Sequence, residues 1–280
     1  MGRQLDIKLA IGLGDILLSK AMLDRFKHLY ERINISFYTE YIVAYRNGEQ
    51  GNYKFLNDLA QLLFSEPPYN YIPEGHAVRH FNPQELQDFH HITMTHPDLA
   101  HIICDPNYYH GLSNYIVINT KVRALNKPVY EAIKVPFWNI IRQITAKKKL
   151  VILGERVVEM NHEYAYLTSI HVWSLYNEII NNIPSNQILD MTVPALGITP
   201  PDLQHIREDS CVLRDADFVI SIGIGGGFCL SSSVAKYLVT YRADIEQVCE
   251  YLYGPSTCNH PRAFITKDSR AFLNKLTSLI

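Results

Sequence analysis

Leu9-Ala10-Ile11-Gly12-Leu13-Gly14-Asp15-Ile16-Leu17-Leu18 reads as a short apolar strand that breaks at two glycines and reopens as a helix. The break puts a carboxylate, Asp15, at a strand-to-helix corner. In open α/β sheets that corner lies outside the carboxyl end of a strand, where loops gather and the next helix presents unpaired N–H groups, so ligands bind there. Asp15 is the first candidate for chemistry, against the plainer reading that an aspartate here only caps its helix. As a catalytic group it would be a general base towards a hydroxyl nucleophile.

Working outward, the strand Ile7 to Ile11 and a helix from Asp15 to Tyr30 lead into a second strand at Ile33 to Phe37, a βαβ opening. A helix is expected at Tyr53 to Phe64, then a proline-interrupted stretch, then a short strand at His101 to Cys104 before the break at Asp105, Pro106 and Asn107. The second half alternates more clearly. Strands are expected at Tyr115 to Asn119, Lys149 to Leu153, Gln187 to Met191 and Phe218 to Ile222. Helices are expected at Val129 to Thr145, around Ile170 to Ile180, after Pro200 and Pro201, at Ser231 to Val239, at Ile245 to Tyr253 and at Ser269 to Leu279. Such alternation predicts parallel sheets with helices on both faces, in two units joined near residues 105 to 114 with a cleft between them.

The 280 residues suffice for two small domains, each with its own core. A formal charge of -2 and a sequence pI near 6.6 offer no basic surface for nucleic acid. Cys104, Cys211, Cys229, Cys249 and Cys258 are odd in number, widely spaced and without a CxxC pair, which argues against a disulfide framework or structural zinc and fits a reducing cytoplasm. The start shows no export signal, and no apolar run approaches the ~20 residues of a membrane span. His76 with His80, and His90 and His91 with His96, come without an HExxH signature, so no metal is expected. Tyr108, Tyr109, Tyr164 and Tyr166 suit either a base or sugar platform or the core.

Two features of the second half concern phosphate. Gly223, Gly225, Gly226, Gly227 and Phe228 separate the strand at 218–222 from a helix, so a phosphate can approach the backbone and meet the positive end of the dipole. The spacing matches neither a P-loop nor GxGxxG, and a tight structural turn explains the glycines as well. Lys121, Arg123 and Arg156 each follow a strand, and a parallel sheet carries all three to the edge that holds the glycine loop, where they suit a diphosphate or serve only as solvated loop charges.

The stretch GLGDILLSKAML resembles the amino-terminal signature of the heptosyltransferase-like glycosyltransferases, family 9 and its relatives. YIVINTKVR, the GER that ends a strand, LDMT, RDADFVISIGIGGGF and SSSVAKYL follow in the order of that family's donor half. Residues 40 to 105 show no resemblance. The resemblance implies a GT-B architecture, two Rossmann-like domains facing across a cleft. Residues 1–110 would bind the acceptor, with Gly12 and Gly14 in its loop, and residues 111–280 the nucleotide-sugar donor, with the last helix packing back on the first domain. It further implies Asp15 as the base of an inverting transfer to a glycan or other hydroxylated acceptor. Lys121, Arg123, Arg156 and the loop Gly225, Gly226, Gly227 and Phe228 would hold the diphosphate without a metal or other cofactor. Where the family commonly has an aspartate after the fourth strand, this chain has Gly223. That departure keeps open a non-catalytic nucleotide-sugar binding protein, beside a nucleotide-sugar epimerase of the same fold; heptose is not supported, and the residues leave open the donor's base and sugar, the acceptor and linkage, and the oligomeric state.

Overall fold

The computed structural model describes residues 3–10, 13–38, 50–72, 80–81, 98–122, 127–154, 156, 173–193, 202–223, 226–241 and 257–280. The predicted helix at 245–253 lies outside them. The first half comprises β1 (Gln4–Ala10), α1 (Leu13–Phe26), β2 (Arg32–Tyr38), α2 (Gln50–Leu63), β3 (Tyr69–Tyr71), β4 (His80–Phe81) and a helical turn, α3 (Ala100–Ile103). Its four strands form a parallel sheet in the order β3-β2-β1-β4. Alternation along the strands decides which face is buried. Leu5, Ile7, Ile33 and Ile35 point into the core with α1 and α2, and Gln4, Asp6 and Arg32 point to solvent. Asp6, Asn34 and Asn70 stand in register across three strands and are joined by hydrogen bonds, Asn34 Nδ2 to Asp6 at 2.6 Å and Asn70 Nδ2 to Asn34 at 2.6 Å. Among the described residues the second face carries this hydrogen-bonded polar ladder, with Ser36 buried at its far end.

The second half comprises β5 (Tyr115–Asn119), β6 (Lys121–Val122), α4 (Lys127–Thr145), β7 (Lys149–Leu153), β8 (Trp173–Ser174), α5 (Tyr176–Asn182), β9 (Ile188–Asp190), α6 (Leu203–Asp215), β10 (Val219–Ile222), α7 (Gly226–Val234), β11 (Leu238–Tyr241), β12 (Thr257–His260), β13 (Ala263–Thr266) and α8 (Ser269–Thr277). Its main sheet runs β12-β13-β11-β10-β5-β7-β9, all parallel except the edge strand β12, and β6 pairs with β8 in a separate ribbon. All five residues of β5 are buried, as a central strand covered on both faces must be. One face, with Ile116, Ile118, Ile152 and Ile220, packs on Tyr130, Phe137, Trp138 and Ile141 of α4; the other, with Val117, Val151 and Val219, packs on α6 and α7.

Three expectations are corrected. His101 to Cys104 is not a strand but the turn α3, because Ile103 is buried where α3 meets α6. The helix drawn over Ser231 to Val239 ends at Val234, and Leu238–Tyr241 is instead β11, paired along its length with β10 and β13. Among the described residues the last helix packs within the second half instead: Phe272 of α8 stacks on Phe137 and Tyr241, and α8 rests on α4, β11 and β13.

The halves share a core. Ile16, Leu17, Met22 and Leu23 of α1 belong to the same apolar cluster as Phe228, Leu230 and Val234 of α7 and Val212 and Leu213 of α6. The connecting segment is pinned as well. His110 Nε2 lies 3.2 Å from Asp215, the Leu112 N–H donates to its Nδ1 at 3.1 Å, and Cys211 Sγ meets the Asp105 carbonyl at 3.4 Å. Nδ1 thus faces a backbone donor and Nε2 the Asp215 carboxylate. Burial, and then the neighbouring Cys211 thiol, push the Cys104 thiol up to about 12, so Cys104 behaves as unreactive core.

Candidate functional site

Each of the two larger sheets has a point where the chain crosses from one side of its first strand to the other, and ligands gather at such points. In the first sheet the reversal falls between β1 and β4, and the helix that opens there is α1, with Leu13, Gly14, Asp15 and Ile16 in its first turn. Asp15 is thus the third residue of a helix whose first N–H groups have no partner within it. Gly12 lies outside the described residues. Gly14 is in the helix rather than in a loop, and a Cβ built on it would come within 2.9 Å of the Cys229 sulfur. Its bareness serves the approach of α1 to α7.

In the main sheet the reversal falls between β5 and β10. Lys121 follows β5 after one residue, and its backbone pairs with Ser174 in the β6–β8 ribbon. Gly226 and Gly227 open α7 just beyond β10; Gly225 and Arg123 lie outside the described residues. Asn119 Nδ2 donates to Ser231 Oγ at 2.7 Å, a buried bond that ties the end of β5 to α7 across the reversal. The Ser232 and Ser233 hydroxyls turn back onto the Cys229 carbonyl, so the polar run satisfies itself inside the core. The side chain of Phe228, a residue expected at the donor, is 2% exposed and lies within the shared cluster. Gly223 has φ +85°, the left-handed region that glycine occupies without strain. The departure from the family's aspartate thus has a backbone reason in this chain.

The two first turns meet. The Gly14–Cys229 approach brings the residue next to Asp15 against a residue two positions beyond Gly227, so both helix N-termini converge on one region.

Arg156 sits beyond β7, one strand from β5, or about 5 Å, and two from β10, or about 10 Å. Its N–H donates to the Val193 carbonyl at 2.9 Å, and the Val193 N–H to Gly154 at 2.9 Å, which fastens the segment after β7 to that after β9. The guanidinium donates through Nε to Thr192 Oγ1 at 2.9 Å, pairs with Asp190 Oδ2 at 3.1 Å and lies 5.6 Å from the centre of the Tyr176 ring. Asp190 also accepts from the Thr192 N–H at 3.0 Å, the Thr192 hydroxyl at 2.5 Å and the Tyr176 hydroxyl at 3.0 Å. Burial raises the Asp190 carboxyl, but the Thr192 bonds, Tyr176 and Arg156 outweigh it and hold it below the usual carboxylate range. Sequence reading found Arg156 but missed this surround; LDMT was the available signal. It also missed Asp209 on α6, whose carboxyl burial pushes up to about 7 against the opposing pull of His205.

No family model and no curated protein matches the chain. Solved structures do: the E. coli ADP-heptose LPS heptosyltransferase II superposes over 99% of this chain and 98% of its own, at TM-score 0.51 and 11% identity. In fold the chain is similar to a heptosyltransferase. The bacterial iron-containing dodecameric glycosyltransferase TibC from enterotoxigenic E. coli H10407 aligns over 99% of this chain and 73% of its own, at TM-score 0.44 and 13% identity. Dodecameric iron-containing heptosyltransferase TibC in complex with ADP-D-beta-D-heptose aligns over 92% and 63%, at TM-score 0.45 and 13% identity. Among the described residues no group of three or more His, Cys, Asp or Glu could hold a metal ion; His76, His90, His91 and His96 lie outside them. No helix among them is long and apolar enough to cross a membrane.

Proposed function

We propose that the chain is an inverting, metal-independent glycosyltransferase of GT-B type that moves a sugar from a nucleotide diphosphate sugar to a hydroxyl of a glycan or small acceptor in the cytoplasm. The observation that carries the reading is the convergence of α1 and α7 at Gly14 and Cys229, which brings a carboxylate-bearing helix N-terminus and a glycine-opened one to the same place. On this reading residues 1–110 receive the acceptor and 111–280 the donor. Asp15 takes the proton of the acceptor hydroxyl as its oxygen attacks the anomeric carbon, and the bond from that carbon to the diphosphate oxygen breaks on the opposite face. Lys121, Arg123, Arg156 and the first N–H groups of α7 receive the charge on the departing diphosphate, the task a metal performs elsewhere.

The test is transfer from ADP-heptose, UDP-glucose and GDP-mannose to water or added acceptors, followed by release of nucleoside diphosphate. Asp15→Asn should slow release by roughly 10²- to 10⁴-fold, the usual range for a general base, with donor affinity nearly unchanged. Full activity in Asp15→Asn would remove the assigned role. Gly223 in place of the family's aspartate favours a second reading, a nucleotide-sugar binding protein without turnover. Under it nucleoside diphosphates still raise the melting temperature, but no release accompanies binding.

A further inference from the structure

Arg156 presents a conflict of charge. A cation meant for a diphosphate is paired with a carboxylate, and on charge alone Asp190 should weaken anion binding, since it offsets the guanidinium 3.1 Å away. The surround indicates another purpose. Asp190 receives four donors from three residues, and two of these, Thr192 and Tyr176, also touch the guanidinium, one through Nε and one through its ring face. The side chain is thereby held at three points around one edge. Nε and one terminal nitrogen are engaged, which leaves the other terminal nitrogen to donate elsewhere on a side chain that is 43% exposed. A long arginine left free would lose rotamer entropy each time it closed on an anion; one already fixed does not.

We propose that Asp190 is a positioning residue that holds the Arg156 guanidinium, through Thr192 and Tyr176, in the orientation that receives the donor diphosphate. This rests on the functional reading above, in which Arg156 meets that group. Asp190 makes no contact with the donor itself; it acts only through Arg156.

The experiment titrates the full chain with ADP, UDP, GDP and CDP, using the wild type, Asp190→Asn, Arg156→Ala and the double variant, with melting temperatures alongside. Asparagine keeps the shape of Asp190 and the acceptor for the Thr192 N–H, but turns an amide towards Arg156. The expected result is about a tenfold loss of affinity in Asp190→Asn and about ten- to hundredfold in Arg156→Ala, the size of a charged hydrogen bond. The double variant should be no weaker than Arg156→Ala alone. A purely structural role would instead lower affinity in both backgrounds, and that result overturns the proposal. So does tighter binding in Asp190→Asn, which would make the carboxylate a mere charge offset, and so does unchanged binding. Where Arg156→Ala weakens binding and Asp190→Asn does not, the functional reading stands and this inference falls. Where Arg156→Ala has no effect, or the wild type binds none of the four, the reading beneath it falls too. If Asp190→Asn fails to fold, Thr192→Val removes the hydroxyl between Arg156 and Asp190, and the same Arg156-dependent loss is expected.

Discussion

Gly14 makes a sign-changing prediction. Alanine at a helical glycine gains up to about 1 kcal/mol, but overpacking costs about 1–3 kcal/mol, and here the added carbon meets the Cys229 sulfur at 2.9 Å. Gly14→Ala should therefore destabilise the wild type by about 1–2 kcal/mol. In a Cys229→Ala background the nearest remaining atom is the β-carbon at 3.5 Å, ordinary contact, and the same change should become neutral or stabilising. Urea unfolding of the four proteins in this cycle measures it, and equal costs in both backgrounds would refute the contact. Asp209 makes the second. A carboxyl raised to about 7 binds its proton more tightly folded than unfolded, so its contribution is favourable below about pH 4 and is lost as pH rises through about 7. Asp209→Asn should stabilise the protein by about 1–3 kcal/mol at pH 8 and by nothing at pH 4, read from melting curves at both values. Asp15 and Arg156 stand out in the sequence as candidates because each follows a strand; the contacts of Asp190, Thr192 and Tyr176 do not, because they form only where the ends of β7 and β9 meet.

Among the elements, strands flanked by turn residues were read well, and β5 and β7 fall where the pattern places them. The error at 231–239 has a definite cause. The run Ser231 to Tyr241 is buried almost throughout, so it lacks the polar side that separates a helix period from a strand, and Ala235-Lys236-Tyr237 conceals a turn of direction. β12 and β13 went unread, an antiparallel addition outside the strand-helix alternation. The caps of α6 and α8 are clearer: Asp202 accepts from the His205 N–H at 2.8 Å and Asp268 from the Ala271 N–H at 2.8 Å. Asp202→Ala should cost about 0.5–2 kcal/mol in unfolding free energy at neutral pH. The Asp202 carboxyl is held below its usual value, first by the His205 N–H, so its contribution is complete above about pH 4 and fades as acid protonates it. Wild type and Asp202→Ala should accordingly converge at low pH.

At the scale of the molecule, the presence of parallel sheets was legible from the strand-helix alternation. The shared cluster was not, because contacts between α1 and α7 link positions more than 200 residues apart and leave no local periodicity. The two halves should therefore unfold in one transition, with far-ultraviolet circular dichroism and tryptophan fluorescence coincident. Residues 111–280 made alone would expose Phe228, Leu230 and Val212 and should bind a hydrophobic dye or aggregate. Two separate transitions, or a well-folded isolated second half, would contradict the common core.

That shared cluster also governs motion. Lobes joined only by a flexible strap can swing like jaws to admit cargo and eject waste. To do so here, large aliphatic and aromatic groups would have to be wetted, each at roughly 1.5–3 kcal/mol. The resting molecule is consequently clasped, and relative movement is a matter of side-chain shifts instead of a wide yawn between halves.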